Sequence, residues 1–330
     1  MAKHTITVLA LPGCMASAVL GLEDLFAIAN RVARSVLGRP RDLFACEIRS
    51  MTGCPIRSSE GRVVGVDGAA RGTPKRATIV VPGALLDTGN LDALLALHAG
   101  AARWLRNRCQ RGQRIAATCS SVLLLGQAGL LEGRTATITW WLQPELARRF
   151  PEAGIAANAM ITEDDGILCA AGPMSHLDVG LYLLERLAGR ELATLVSRYG
   201  VIERGKRSQS AYVAPVVQKR MSPFVERVHA AVVAKLPTPP RVPALARTLG
   251  VSPRTLHRRL RDLVGVSPRE FIAQVRLDLA RNLLETTDAG IAEMLPAVGF
   301  GDESSFRRAV RRRLGHSPRE YRRLFGLTSG

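Results

Sequence analysis

Up to about residue 200, short runs of β-branched and other apolar residues alternate with stretches whose apolar positions recur at helical spacing. Residues 5–11, 43–50, 78–81, 114–117 and 167–170 predict strands, and 91–108 and 176–187 predict helices. Such alternation predicts a mostly parallel sheet covered on both faces, with ligands taken at the carboxyl ends of its strands. From about residue 222 the β-branched runs vanish and only helical spacing remains, which predicts a second, all-helical domain. Pro237, Pro239, Pro240 and Pro243 end one of its helices and admit the next. The interval 205–220, with Lys206, Arg207, Lys219 and Arg220, reads as a polar connector. The expected division is a first domain over 1–205, a linker over 206–221 and a second domain over 222–330.

The second region contains a repeat. Gly265-Val266-Ser267-Pro268-Arg269-Glu270-Phe271 recurs as Gly315-His316-Ser317-Pro318-Arg319-Glu320-Tyr321, with five identities and one aromatic match. Upstream of each copy lie a short helix, a glycine-containing turn and a second helix dense in arginine, which is the pattern of a helix-turn-helix unit. The first unit spans 242–264. In it Gly250 supplies a positive φ at the helix end, Ser252 caps the next helix and Pro253 takes its first position. Leu256, Leu260 and Leu263 fall on one face and Arg254, His257, Arg258 and Arg261 on the other, a surface suited to a DNA major groove.

The second unit spans 291–314. Asp302 is its expected cap, with Phe306, Val310 and Leu314 inward and Glu303, Ser304, Arg307, Arg308, Arg311 and Arg312 outward. Residues 268–284, as one helix, would hold the two units about 25 Å apart, within reach of successive grooves. An arginine-rich helix alone is usually a solvated face. Two of them, each second in a repeated helix-turn-helix, point to nucleic acid.

Charge agrees with this reading. The 330 residues carry 46 Lys+Arg against 28 Asp+Glu, a net charge of +18, and only five of the basic residues are lysines. The excess is twice as dense after residue 221 as before it, so a polyanionic partner belongs to the helical domain. With 47% hydrophobic and 22% charged residues, the chain is neither disordered nor low in complexity. Six cysteines without a Cys-x-x-Cys pair argue against a zinc site, and no cofactor or metal is expected. No apolar run is long enough to span a membrane. The stretch ending Leu11-Pro12-Gly13-Cys14 has the outline of a lipoprotein signal. Its apolar run is short and Glu23 and Asp24 follow, so a cytoplasmic protein is expected.

The helical region closely resembles the AraC/XylS transcription regulators over about residues 222–326. The resemblance is carried by the repeat and by Ala297-Val298-Gly299-Phe300 through Phe306-Arg307-Arg308 to Tyr321-Arg322. It implies seven helices and two helix-turn-helix units on double-stranded DNA. Base reading is implied for Arg254, His257 and Arg258 in the first unit and for Glu303, Ser304, Arg307 and Arg308 in the second. Arginine can pair bidentately with guanine and glutamate can accept from the cytosine amine. Met294-Leu295-Pro296 departs from the family pattern, and Pro296 is expected to distort the scaffold helix of the second unit.

In the first region, residues 114–125 read as a strand, a sharp turn at Cys119 and a helix from near Ser120. This is a nucleophile elbow, in which a helix N-terminus lowers the thiol pKa. A lone cysteine is more often a small buried hydrophobe. The region resembles the PfpI-like branch of the class I glutamine amidotransferase-like superfamily, as joined to AraC domains in GlxA-type regulators. The resemblance rests on Leu11-Pro12-Gly13, Gly21-Leu22-Glu23-Asp24-Leu25-Phe26, Val80-Val81-Pro82-Gly83 and the Cys119 elbow through Arg134. It implies a doubly wound, flavodoxin-like α/β fold.

Thr139 stands where the family's enzymes have histidine, and Ala18 where they often have an acid. With no base to take its proton, Cys119 lacks what hydrolysis needs, and no catalytic residue is expected. His98 and His176 are candidate substitutes, though each reads better as a surface or capping residue. The resemblance therefore implies a ligand pocket at Gly13, Cys14, Pro82, Gly83, Cys119, Ser120, Thr139 and Trp140. The expected protein is a homodimeric regulator answering to a small, nitrogen-containing effector, with RNA polymerase as a further partner if it activates. The alternatives are a pure dimerisation scaffold, a cysteine-dependent amidase or deglycase with an accessory DNA module, and a nucleoid-binding structural protein.

Overall fold

The computed structural model describes residues 3–85, 91–204, 209, 212, 223–236 and 238–326. The chain forms two compact units, Met1–Gln209 and Ser210–Gly330. Of the expected linker, only Gln209 and Tyr212 lie within the described residues, and Pro237 lies outside them.

The first unit is built on β1 (His4–Leu9), β2 (Phe44–Ser50), β6 (Thr78–Val81), β7 (Ile115–Thr118) and β11 (Ile167–Ala170), all parallel, in the order β2-β1-β6-β7-β11. This is the flavodoxin-like arrangement, whose switch point lies between β1 and β6. The short β5 (Gly68–Ala69) extends one edge, and β10 (Ile161–Asp164) adds an antiparallel strand at the other. Along the central strands side chains alternate between two cores. Val80, Ala116 and Leu168 face one, packed with α1 (Ala16–Ser35), α6 (His176–Ala188) and α7 (Arg190–Tyr199). Ile79, Ile115 and Ile167 face the other, with α2 (Leu91–Leu97), α3 (Ala99–Gln110), α4 (Ser121–Gln127) and α5 (Gln143–Arg149). Burial of both faces explains why these strands read as continuous apolar runs.

Two expectations change here. The helix expected over 91–108 is broken at His98, whose backbone leaves the helical region and whose Nε2 lies 3.0 Å from the Pro12 carbonyl oxygen. The strands β3 (Ile56–Arg57), β4 (Val63–Val64), β8 (Thr135–Ala136) and β9 (Gly154–Ile155) were not foreseen, because two residues carry no period.

The second unit has seven helices among its described residues: α8 (Pro223–Val233), α9 (Val242–Thr248), α10 (Pro253–Val264), α11 (Pro268–Thr286), α12 (Ile291–Ala297), α13 (Glu303–Leu314) and α14 (Pro318–Phe325). They enclose two cores bridged by α11. Phe271, Ile272 and Val275 enter the first, with α8 to α10, and Leu277, Ala280 and Leu284 enter the second, with α12 to α14. The repeated heptapeptide is a helix-to-helix corner. Gly265 and Gly315 take φ of 72° and 78° as C-terminal caps. Ser267 and Ser317 accept from the N–H of Glu270 and Glu320, and both glutamates return the bond, closing two capping boxes. Pro268 and Pro318 take the first helical position, and Phe271 and Tyr321 fill the two cores.

The expected role of Leu263 is corrected. It is 48% exposed, while Val264 is partly buried against the first core, because the packing neighbours and not the wheel position decide which flank of the Leu256–Leu260 stripe is covered. Pro296 does not shorten its helix: α12 has seven residues, as α9 has. At the penultimate position its missing N–H removes one bond, while the N–H of Val298 still reaches the Met294 carbonyl at 3.2 Å.

Candidate nucleic-acid interface

Ser252 accepts from the Thr255 N–H at 3.1 Å and so starts α10, the second helix of the first unit. With Leu256 and Leu260 fully buried, Arg254, His257, Arg258 and Arg261 are left exposed on the opposite face. Arg254 and Arg258 make no side-chain hydrogen bond among the described residues. Asp302 accepts from the Ser305 N–H at 2.7 Å and starts α13. Phe306, Val310 and Leu314 are buried there, as expected. The outward residues of α13 pair with one another. Arg307 donates from Nε and Nη2 to Glu303 Oε1 at 2.9 and 2.6 Å, and Arg308 donates to the hydroxyls of Ser304 and Ser305 at 2.8 and 3.1 Å.

Arg276 belongs with these groups although its sequence position did not mark it. From the middle of α11 it donates through Nε to the Val298 carbonyl at 3.0 Å and through Nη2 to that of Gly299. Its guanidinium lies 4.0 Å from the centre of the Phe300 ring, which meets Phe306 edge-on at 5.3 Å. The turn before α13 is thereby tied to both α11 and the core. A lone arginine between Val275 and Leu277 was the available signal.

At the strand ends of the first unit, the register places Val81 beside Ala117 and Ala170 beside Thr118, so Pro82, Gly83 and Cys119 converge. Cys119 has φ of 53°, the strained backbone of an elbow. A Cβ at Gly83 would lie 2.8 Å from both Cys119 Cβ and the Thr118 carbonyl, so only glycine fits against the turn. The hydroxyls of Ser120 and Ser121 donate to Ala84 and Pro82 carbonyls at 2.9 and 2.7 Å. Burial, opposed only by a backbone hydrogen bond at Ser120, pushes the Cys119 thiol up to about 12, reversing the lowering expected from a helix N-terminus. Burial also raises Cys14 to about 11.

The expectation of a surface position for the two histidines is corrected too, although His98 does stand at the N-cap of α3. His98 and His176 are buried, at 7% and 2% exposure, and burial holds both imidazoles below their ordinary pKa.

Cys14, Pro82 and Ser120 line a cavity with His98, Leu94 and Leu95. At about 10 Å³ it has room for roughly one water molecule. Gly13, Gly83 and Cys119 are not among its walls, nor are Thr139 and Trp140. Gly13 turns at φ 82° beside Leu94. Thr139 is fully buried, its hydroxyl has no hydrogen-bond partner among the described residues, and it leads into the turn Trp140–Leu142. That segment is held by Gln209, whose amide donates to Thr137 Oγ1 at 3.3 Å and to the Ile138 carbonyl at 2.9 Å. A neutral, enclosed thiol next to satisfied serines is poorly equipped for nucleophilic chemistry, whereas the exposed arginine-bearing helices are fitted to a polyanion.

These two units define a DNA-binding regulator built on an α/β domain. Residues 245–324 match the helix-turn-helix domain family and residues 41–186 the DJ-1/PfpI family. The chain is 31% identical to the HTH-type transcriptional regulator GlxA of Rhizobium meliloti, over 67% of this chain and 69% of that protein. It is 27% identical to the HTH-type transcriptional regulator CdhR of Pseudomonas aeruginosa, over 97% and 91%. In fold, the first unit is similar to a THiJ/PfpI family protein from Pseudomonas syringae. The TM-score is 0.51 at 24% identity, covering 62% of this chain and 76% of that one. The chain therefore belongs to the transcriptional regulators that join a DJ-1/PfpI domain to an AraC-type helix-turn-helix domain. Among the described residues, no helix is long and apolar enough to cross a membrane.

Proposed function

We propose that this regulator reads a specific DNA sequence through α10 and α13. Arg254, His257, Arg258 and Arg261 serve the first site, and Glu303, Ser304, Arg307 and Arg308 the second. The observation that carries the reading is the pair of capped helices, each with a buried apolar stripe and an exposed arginine face, set on one continuous α11. At about 1.5 Å per residue, 19 residues span about 28 Å, compatible with grooves about 34 Å apart. The first unit is a non-catalytic sensor and dimerisation domain. Its strand-end site, around Gly13, Cys14, Pro82, Gly83, Cys119, Ser120, Thr139 and Trp140, takes a small nitrogen-containing effector by opening the present small cavity. The effector acts by binding two arrangements of the dimer unequally. RNA polymerase is a partner where the regulator activates.

Selection of duplexes from a random pool by the full-length protein tests the reading. A recovered consensus of two sites is expected, and recovery of random sequence with steep salt dependence would identify a non-specific binder instead. A thermal-shift screen of amines and amino acids tests the sensor, since a ligand at 100 times its Kd contributes about 2.7 kcal/mol. The strained elbow at Cys119 favours a second reading, a cysteine-dependent amidase or deglycase. Turnover abolished by Cys119→Ala would establish that reading.

A further inference from the structure

A groove of about 840 Å³ runs between the start of α9 and the first half of α11, walled by Arg241, Val242, Arg269, Glu270, Ile272 and Arg276. Arg241 and Arg269 are exposed. The one carboxylate, Glu270, is already engaged by the N–H of Ser267 at 2.7 Å. Only residues 265–267 separate this end of α11 from the end of α10, and the charges of Arg261 and His257 add to the bonds from Ser267 in lowering the Glu270 pKa. At the other end Arg276 holds the turn that precedes α13. The groove thus connects the two reading helices along α11, with three guanidinium groups and no unengaged acid in its wall.

We propose that this groove holds the phosphodiester backbone that lies between the two read sites, with Arg241 and Arg269 paired to its non-bridging oxygens. The proposal rests on the DNA-reading function proposed above. A protein whose two helices enter successive major grooves must pass over the strand between them, and the surface that does so here is concave and cationic. Continuity with the α10 face favours a phosphate chain over an acidic protein segment. Because Arg276 serves both the groove wall and the turn before α13, backbone held there also steadies the second reader.

The test uses the full-length protein and a duplex that the wild type selects from a random pool, with affinity measured by anisotropy between 50 and 200 mM salt. Arg241→Ala and Arg269→Ala should each reduce the salt slope by about 0.9, so that affinity falls about 3.5-fold less over that range, with base preference unchanged. Ethylation of phosphates between the two read sites should block the wild type and leave the matching variant indifferent. Selective binding with unaltered slopes and no interference at those phosphates overturns the groove alone and leaves it a face for an acidic protein segment. Failure of the wild type to select any sequence removes the DNA-reading function and the groove assignment together.

Discussion

The two reading units share a plan and differ in how they are held. Each has a seven-residue scaffold helix and a twelve-residue reading helix, with Leu245, Leu256 and Leu260 buried in one and Met294, Phe306 and Val310 in the other. In the first, Ala246 is fully buried on the scaffold helix; in the second, the bulkier Leu295 stands there and is only partly buried. The connection before α13 is longer by one residue and is secured by Arg276 on the Val298 and Gly299 carbonyls. Arg254 and Arg258 of α10 are exposed without side-chain hydrogen bonds among the described residues, whereas Arg307 is paired with Glu303. Both units have side-chain caps, and the second adds the Arg276 and Arg307 polar contacts to its packing. On the proposed reading, Arg307 gives up its exposed pair with Glu303 on meeting a base, and the first unit is expected to contribute more of the discrimination.

Core truncation gives the largest test of that contrast. Phe306→Ala should cost about 3–5 kcal/mol and Leu256→Ala about 2–5 kcal/mol in thermal unfolding. Hydrogen exchange should then loosen α12 to α14 in the one variant and α8 to α10 in the other. Uniform loosening in both would mean that the two cores are one cooperative unit. At the DNA, Arg258→Ala should remove about 1–3 kcal/mol of discrimination at one base pair. Arg307→Ala should remove less, because the wild-type residue first gives up Glu303; an equal or larger loss would break the comparison. Arg323→Ala, exposed on α14 outside both readers, should weaken cognate and random duplexes alike.

A smaller effect separates the caps. Ser252→Ala should lower stability by about 1 kcal/mol at any pH, since a hydroxyl does not titrate in the working range. Asp302 differs, because hydrogen bonds from Ser305 hold its carboxyl below the ordinary value. A depressed folded pKa gives stability that is present above the unfolded value, near 4, and is lost as pH falls through the folded one. Protection of α13 amides, taken relative to their intrinsic exchange rate at each pH, should therefore fall in that acid window while that of α10 changes less, and Asp302→Asn should flatten the difference. The capping boxes at Glu270 and Glu320 are both acid-sensitive in the same sense and largely cancel between the units. Identical acid profiles for α10 and α13 would count against the Asp302 cap.

Much of this was legible in the chain. The strands Thr78–Val81 and Ile167–Ala170 coincide with their apolar runs, and the caps at Ser252 and Asp302 stand where the residue types placed them. The elbow at Cys119 was legible as a shape, and its positive φ is there. Its chemistry was not, since the sign of the thiol shift depends on how much of the fold encloses it. His98 was misjudged for the same reason, because its partner, the Pro12 carbonyl, lies 86 residues away. Leu263 shows the limit of periodicity: position on a helical wheel names a face, but the neighbours decide where cover ends.

The amino-acid sequence by itself determined the alternation of strands and helices, the repeated glycine-serine-proline-glutamate corners and the arginine faces of two helices. Each is a matter of bonds and spacing within a few residues. Tertiary structure decided which histidines are buried, that the Cys119 thiol is neutral, how small the strand-end cavity is and that Arg276 steadies a turn 22 residues further on. Burial and desolvation are sums over contacts from distant parts of the chain, and such sums exist only once those parts have been brought together.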